Sequence, residues 1–254
     1  MDWELHPVAE FINWSEPWQT LNKKLTNNLP VLDSTFILPL INCFSNNEEL
    51  LVIGKINNVV VAMGIFQKKN FFSWRIFQPS QAPVGLWLCS EENIIIALDS
   101  LIKKLPGFIL KLDIIHQDPN ICPPIVTDQI ENIDYIYTSK LTIDQDFNSY
   151  FQSLGKNQRQ NYNKANNRLI KQDINVKLEI VTNSQKMHQC VEQYGVIESN
   201  SWKDAMGTSI KINNQQGKFY SAMLSAFAKE KNGQVWKYFY NDKIVAIDLC
   251  IKNN

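Results

Sequence analysis

The chain has 254 residues, enough for one large domain or two of ordinary size. Hydrophobic residues make up 44% and charged residues 20%, which excludes a disordered or collagen-like chain. The 25 basic and 25 acidic residues cancel, so overall charge gives no pull toward nucleic acid or membrane, and an anionic partner must be met by a local patch.

The amino-terminal stretch MDWELHPVAEF has acids, no lysine and no apolar core, so no secretory signal is read there. No apolar run approaches the roughly 20 residues of a membrane helix, and the expected location is cytoplasmic. The stretches PWQTLNKKL and TFILPLINCFSNN are helix-like. From Leu50 to Lys69, two β-prone runs flank an Asn-Asn pair, the signature of a hairpin, because Asn tolerates the left-handed backbone of a tight turn. There follow a strand (FFSWRIF), a Pro-rich loop (QPSQAPVG), a helix from Ser90 to Leu105, a strand (GFILKLDII) and, past a second Pro-rich loop, another strand (YIYTSKLTI).

Phe147, Phe151 and Leu154 recur at helical spacing, as do Tyr162, Ala165 and Leu169, and Gly155 separates the two helices. A strand (VKLEIVTN) leads to a helix around MHQCVEQYGVIES and another bearing Phe219, Met223 and Phe227, with Gly233 placed to stop it. A second hairpin, Gln234 to Asn253, turns on Asn-Asp. Aligned on the turns, Val61 and Ala62 fall on Val245 and Ala246. The expectation is a mixed α/β protein of two similar halves, residues 1–142 and 143–254, the second ending after its hairpin and so incomplete.

Segment 153–172 carries Lys156, Arg159, Lys164, Arg168 and Lys171 without an acid. Lys164, Arg168 and Lys171 share one helix face. Three readings stand side by side: a solvated surface, an anion site in which Arg159 or Arg168 grips a phosphate or carboxylate bidentately, and salt-sensitive RNA contact. In ESNSWKDAMGTSIKINNQQGKFY, Trp202 and Lys203 either pack and solvate ordinarily or meet a substrate. Glu198 would serve as general base if burial raised its pKa. Asp248, mid-strand, faces either solvent or a cleft. PSQAPVGLW reads as a structural loop leading to Trp87, a contact between the halves.

The five cysteines (Cys43, Cys89, Cys122, Cys190, Cys250) and three histidines (His6, His116, His188) lack metal-ligand spacing, so no metal is expected. GxSxG, Walker, HExxH and GxGxxG motifs are missing, which leaves serine hydrolysis, nucleotide hydrolysis, zinc proteolysis and dinucleotide binding without support.

The order helix, helix, hairpin, then strand-helix-strand resembles the GNAT acyltransferase fold. Three stretches, FQPSQAPVGLW, SLGKNQRQNYNKANNRL and ESNSWKDAMGTSIKINNQQGKFY, resemble the tandem-GNAT proteins of the cellulose-biosynthesis acetyltransferase type, relatives of FemAB aminoacyl transferases. The matching residues in the last are Glu198-Ser199, Trp202-Lys203, Gly207-Thr208 and Phe219-Tyr220.

The resemblance implies transfer of an acyl group, acetyl above all, from acyl-CoA to an amine or hydroxyl of a small molecule or cell-envelope precursor. Acetyl-CoA would be a co-substrate, its pyrophosphate at the start of the helix after the fourth strand. In the second half that part would follow Asn254. In the first half, Pro79 and Pro83 remove N–H donors, and Glu91 and Glu92 put negative charge at the helix start. The family's first two helices roof the acceptor cleft, and the basic segment is expected in that place. Lys156, Arg159, Arg168, Trp202 and Lys203 are then the candidate substrate-binding residues and Glu198 the candidate catalytic one. The alternatives are a binding module that has lost the coenzyme site, self-associating through an exposed sheet edge, or a FemAB-like transferase using charged tRNA; nucleic acid is not the expected main partner.

Overall fold

The computed structural model describes residues 1–253 and shows the expected mixed α/β architecture. Strand β1 (Asp2–Pro7) leads through a 3-10 turn to α1 (Ser15–Thr26) and α2 (Ser34–Phe44). Pro17 suits the first turn of α1, where its missing N–H costs nothing, and Trp18 is buried with its indole N–H donating to Leu32 O at 2.7 Å. Helix α2 starts where Asp33 accepts from Thr35 N–H at 2.8 Å, so a side chain satisfies one of the free first-turn donors.

The hairpin β2 (Leu50–Ile56) and β3 (Val59–Asn70) forms on Asn57 and Asn58, both left-handed (φ 50° and 63°), as the sequence implies. Next come β4 (Ser73–Ile76), β5 (Trp87–Cys89), α3 (Ile94–Lys104) and β6 (Lys111–Asp113). The sheet runs β1-β2-β3-β4-β6, with β5 also on β3. All pairings are antiparallel except β4 with β6, which the α3 crossover makes parallel. Leu51, Val52 and Ile53, consecutive on β2, are all fully buried, so this strand is covered on both faces. Trp87 stacks on Trp3 (6.1 Å) and meets Phe66 edge-on (5.6 Å), within the amino-terminal part.

The strand expected at YIYTSKLTI is not formed. Residues 135–143 carry no regular structure and lie exposed, Tyr137 at 96%, because alternation makes a strand only where an edge is there to pair.

After it come α4 (Phe147–Ser153), α5 (Lys156–Lys171), β7 (Val176–Val181), α6 (Met187–Ser199), the short α7 (Trp202–Ala205), α8 (Gln215–Lys229) and the hairpin β8 (Gly233–Tyr240) and β9 (Lys243–Ile251). Strands β7, β8 and β9 form a sheet in that order. Gly155 separates α4 from α5, as read, and is the N-cap of α5. Gly233 does not stop α8; the helix ends at Lys229, and the chain turns away past its C-cap at left-handed Lys231 (φ 64°).

The chain divides into two compact units, one of residues 1–132, 181–235 and 249–254, the other of residues 133–180 and 236–248. In the first, α8 packs against both α2 and α6, with Phe219 fully buried between Phe36 (5.3 Å, edge-on) and Phe44 (5.7 Å). In the second, Phe147, Phe151 and Tyr162 join α4 to α5, and Asn175 and Asn241 exchange hydrogen bonds of 2.7 and 2.9 Å at the turn of the second hairpin.

Apart from the 3-10 turns and the short α7, one element order occurs twice: β1, α1, α2, β2, β3, and then β7, α6, α8, β8, β9. The basic helix α5 stands ahead of β7. With α4 it makes the first two helices after residue 143, and the strand VKLEIV separates it from α6 and α8.

Candidate functional site

The residues read from the sequence fall into two groups, one in each unit. In the larger unit, Glu198 sits on the last turn of α6 and is buried (6% exposed). Helical spacing puts Tyr194 one turn before it, and the Tyr194 hydroxyl donates to Oε1 at 3.0 Å. The chain then folds back through α7, which brings Lys203 Nζ onto the same oxygen. The backbone N–H of Ile210 donates to Oε2 at 2.6 Å. Gly195 is what lets this loop close on α6: a Cβ there would lie 2.7 Å from Ile210 O.

Three donors on one carboxylate decide its chemistry. Burial pushes the Glu198 carboxyl up, but the hydrogen bonds from Lys203, Ile210 N–H and Tyr194, with the Lys203 charge, outweigh it and hold the pKa below the ordinary value. The condition set for a general base, a raised pKa, is not met. Glu198 instead ties α6, α7 and the following loop together, and Lys203 is engaged in the same tie. Burial, and secondarily the Glu198 charge, push the Tyr220 phenol up. Trp202 is 68% exposed, so it is not a core residue.

In the smaller unit, α5 buries no residue. Arg159 is committed within its own unit: Nη1 donates to Gln152 O at 2.6 Å and to Leu154 O, closing the carboxyl end of α4. Lys156, Lys164, Arg168 and Lys171 are exposed and form no salt bridge among the described residues. The structure thus brings Glu198 and Lys203 together, and separately Lys156, Arg159 and Arg168 on one helix. Asp248 is exposed and accepts from the Tyr238 hydroxyl at 3.0 Å, which answers its mid-strand position with a cross-strand partner.

At the start of α3, Glu91 and Glu92 occupy the 3-10 turn before the helix, and the N-cap residue Asn93 makes no side-chain capping bond. Two carboxylates at a helix start do not suit a pyrophosphate. The strand, loop and helix expected after the second hairpin lie outside the described residues. Burial carries the Cys89 thiol to about 12, with small contributions from Cys122 and Glu92, so it stays protonated at neutral pH and is no nucleophile. Among the described residues no group of three His, Cys, Asp or Glu side chains could hold a metal ion, and no helix is long and apolar enough to cross a membrane.

One feature escaped the sequence reading. A cleft of about 410 Å³ is lined by Phe44, by Gln67 and Arg75 on adjacent strands, by the loop after β4 and by the first residues of α8. Its residues come from three distant stretches, and glutamine belongs to no motif, so no local signal marked it.

No curated protein matches the chain. Residues 156–254 match the family model of the acetyltransferase (GNAT) domain. The similarity to GNAT acyltransferases thus begins at the first residue of α5 and takes in the whole second series of elements, from β7 to β9.

Proposed function

We propose that the protein is an acyltransferase of the GNAT type. It would move an acyl group, acetyl in the first instance, from acyl-CoA to an amine or hydroxyl. The match over residues 156–254 carries this reading. The doubled order of strand, two helices and hairpin supports its tandem form, similar to the cellulose-biosynthesis-type acetyltransferases and their FemAB relatives. In the reaction, the acceptor nitrogen or oxygen bonds to the acyl carbon, the carbon–sulfur bond breaks, and the coenzyme leaves as its thiol with the proton the acceptor gives up. Exposed Trp202 in the larger unit is a proposed substrate contact, and exposed Arg168 with Lys156 on α5 of the smaller unit is separately a proposed anion contact. Arg159, Glu198 and Lys203 hold the surrounding backbone, and no base is assigned.

The test is calorimetric titration of the folded protein with acetyl-CoA, followed by thiol release in the presence of small amines and alcohols. Saturable binding with thiol release is expected; a folded protein that binds no acyl-CoA sinks the reading. The second reading, a binding module without coenzyme chemistry, is favoured by Glu91 and Glu92 at the start of α3. It predicts that folded protein ignores acyl-CoA altogether. Retention of tRNA that weakens with salt would instead favour aminoacyl transfer.

A further inference from the structure

The glutamine-lined cleft offers chemistry that the acyl-transfer reading does not use. Gln67 and Arg75 face each other across β3 and β4. With the Gln67 amide oxygen turned to the guanidinium, it accepts from Arg75 Nε and Nη2 at 2.6 and 2.7 Å. That grip fixes the plane of the guanidinium and leaves its Nη1 edge free, the geometry that takes an acid group in bidentate fashion. No carboxylate lines the cleft, and none pairs with Arg75 among the described residues, so the one charge in the lining is positive.

Most of the remaining polar lining is amide. Gln78, Gln81, Gln215 and Gln216 join Gln67, with the hydroxyl of Ser80. Gln78 donates through Nε2 to Ala82 O at 2.9 Å, and the same nitrogen lies 2.6 Å from His116 Nδ1. Its oxygen is buried and has no partner. A buried acceptor left unmatched is unfavourable, and a hydroxyl of a ligand that reached it would remove that penalty. A ligand with one polar group would leave most of the amides unmatched. One with many hydroxyls matches them, since each amide both donates and accepts. Half-buried Phe44 supplies apolar surface beside the amides, suited to the C–H face of a sugar ring.

We propose that this cleft binds a small anionic sugar, a sugar acid or a sugar phosphate, with its acid group on Arg75 and its hydroxyls on the glutamine amides. The proposal is independent of acyl transfer and is tested without an acyl donor. The full chain is titrated at low salt with glucuronate, glucose 6-phosphate, glucose and inorganic phosphate, with binding read by calorimetry. Saturable binding of glucuronate or glucose 6-phosphate is expected, at least tenfold weaker in Arg75→Gln, and several-fold weaker in the double variant Gln215→Ala, Gln216→Ala. Arg75 is exposed, so its replacement leaves the core closed, and the melting temperature checks this. Whichever anionic sugar binds tells carboxylate from phosphate. Saturation by neither overturns the proposal, as does unchanged binding in Arg75→Gln. Inorganic phosphate binding as tightly as the sugar phosphate, or glucose as tightly as either anionic sugar, overturns it too.

Discussion

The two hairpins share a turn and a sequence pattern but not a setting. In the first, β2 is buried on both faces, and β3 goes on to pair with β4 and β5. The indole N–H of Trp3 on β1 donates to Ser100 of α3 at 2.8 Å, so a helix covers that strand. In the second, β7 leads the series as β1 leads the first, yet Val176, Leu178 and Ile180 along one face are 53%, 45% and 50% exposed. Counting back from the turns, Ile53 on β2 corresponds to Lys237 on β8. Ile53 is fully buried; Lys237 is 7% exposed and has no ion pair among the described residues. A repeated pattern of strand residues therefore specifies the hairpin, while the cover over it is specified by other parts of the chain.

The comparison is broken most severely at Phe219, where the second helix of each series meets the other. Phe219→Ala removes a fully buried ring between Phe36 and Phe44 and should cost about 3–5 kcal/mol in urea unfolding. A loss below about 1 kcal/mol would mean that the two helices do not depend on each other.

A smaller and pH-dependent effect is expected at Glu198. Glu198→Gln removes the charge that Lys203 faces and one acceptor, at a cost of about 1–3 kcal/mol, moderated because the Lys203 side chain is 39% exposed and water screens the pair. The folded-state pKa lies below the ordinary 4.5. The unfolded chain therefore takes up the proton first as pH falls, and the stabilisation present above about 4.5 is lost on passing down through the lower folded value. Wild type and Glu198→Gln should differ at pH 7 and converge in acid. A gap that stays constant to acid pH would show that the carboxylate charge is not what stabilises.

The mildest change sharpens the comparison. Lys237→Ile gives β8 the residue that the first hairpin has at that place, and a gain of about 0.5–1.5 kcal/mol is expected, because a buried lysine is exchanged for a buried aliphatic side chain. Destabilisation would show that the ammonium group has a use that the first hairpin lacks.

Local patterns in the sequence were dependable guides where the cause was local. The asparagine turns, the break at Gly155 and the spacing of Phe219, Met223 and Phe227 were legible for that reason. The strand at residues 135–143 was misread, since alternation states a preference and pairing needs a partner edge. At the candidate site, Tyr194 one turn before Glu198 was within reach of spacing. The donation from Ile210 was not, because it depends on how a loop closes over Gly195. Arg159 shows the same limit. Its charge was plain, but its use as a closure for α4 depends on the angle between two short helices.

The packing of α2 against α8 has a consequence for assembly. Each is the second helix of its series, so the same member of each meets the other, as in a two-fold dimer. Here the chain itself joins the partners, and the second meeting is intramolecular. The strength of that seam does not fall on dilution, as it would for two separate chains, and the protein keeps it at any concentration at which it stays folded.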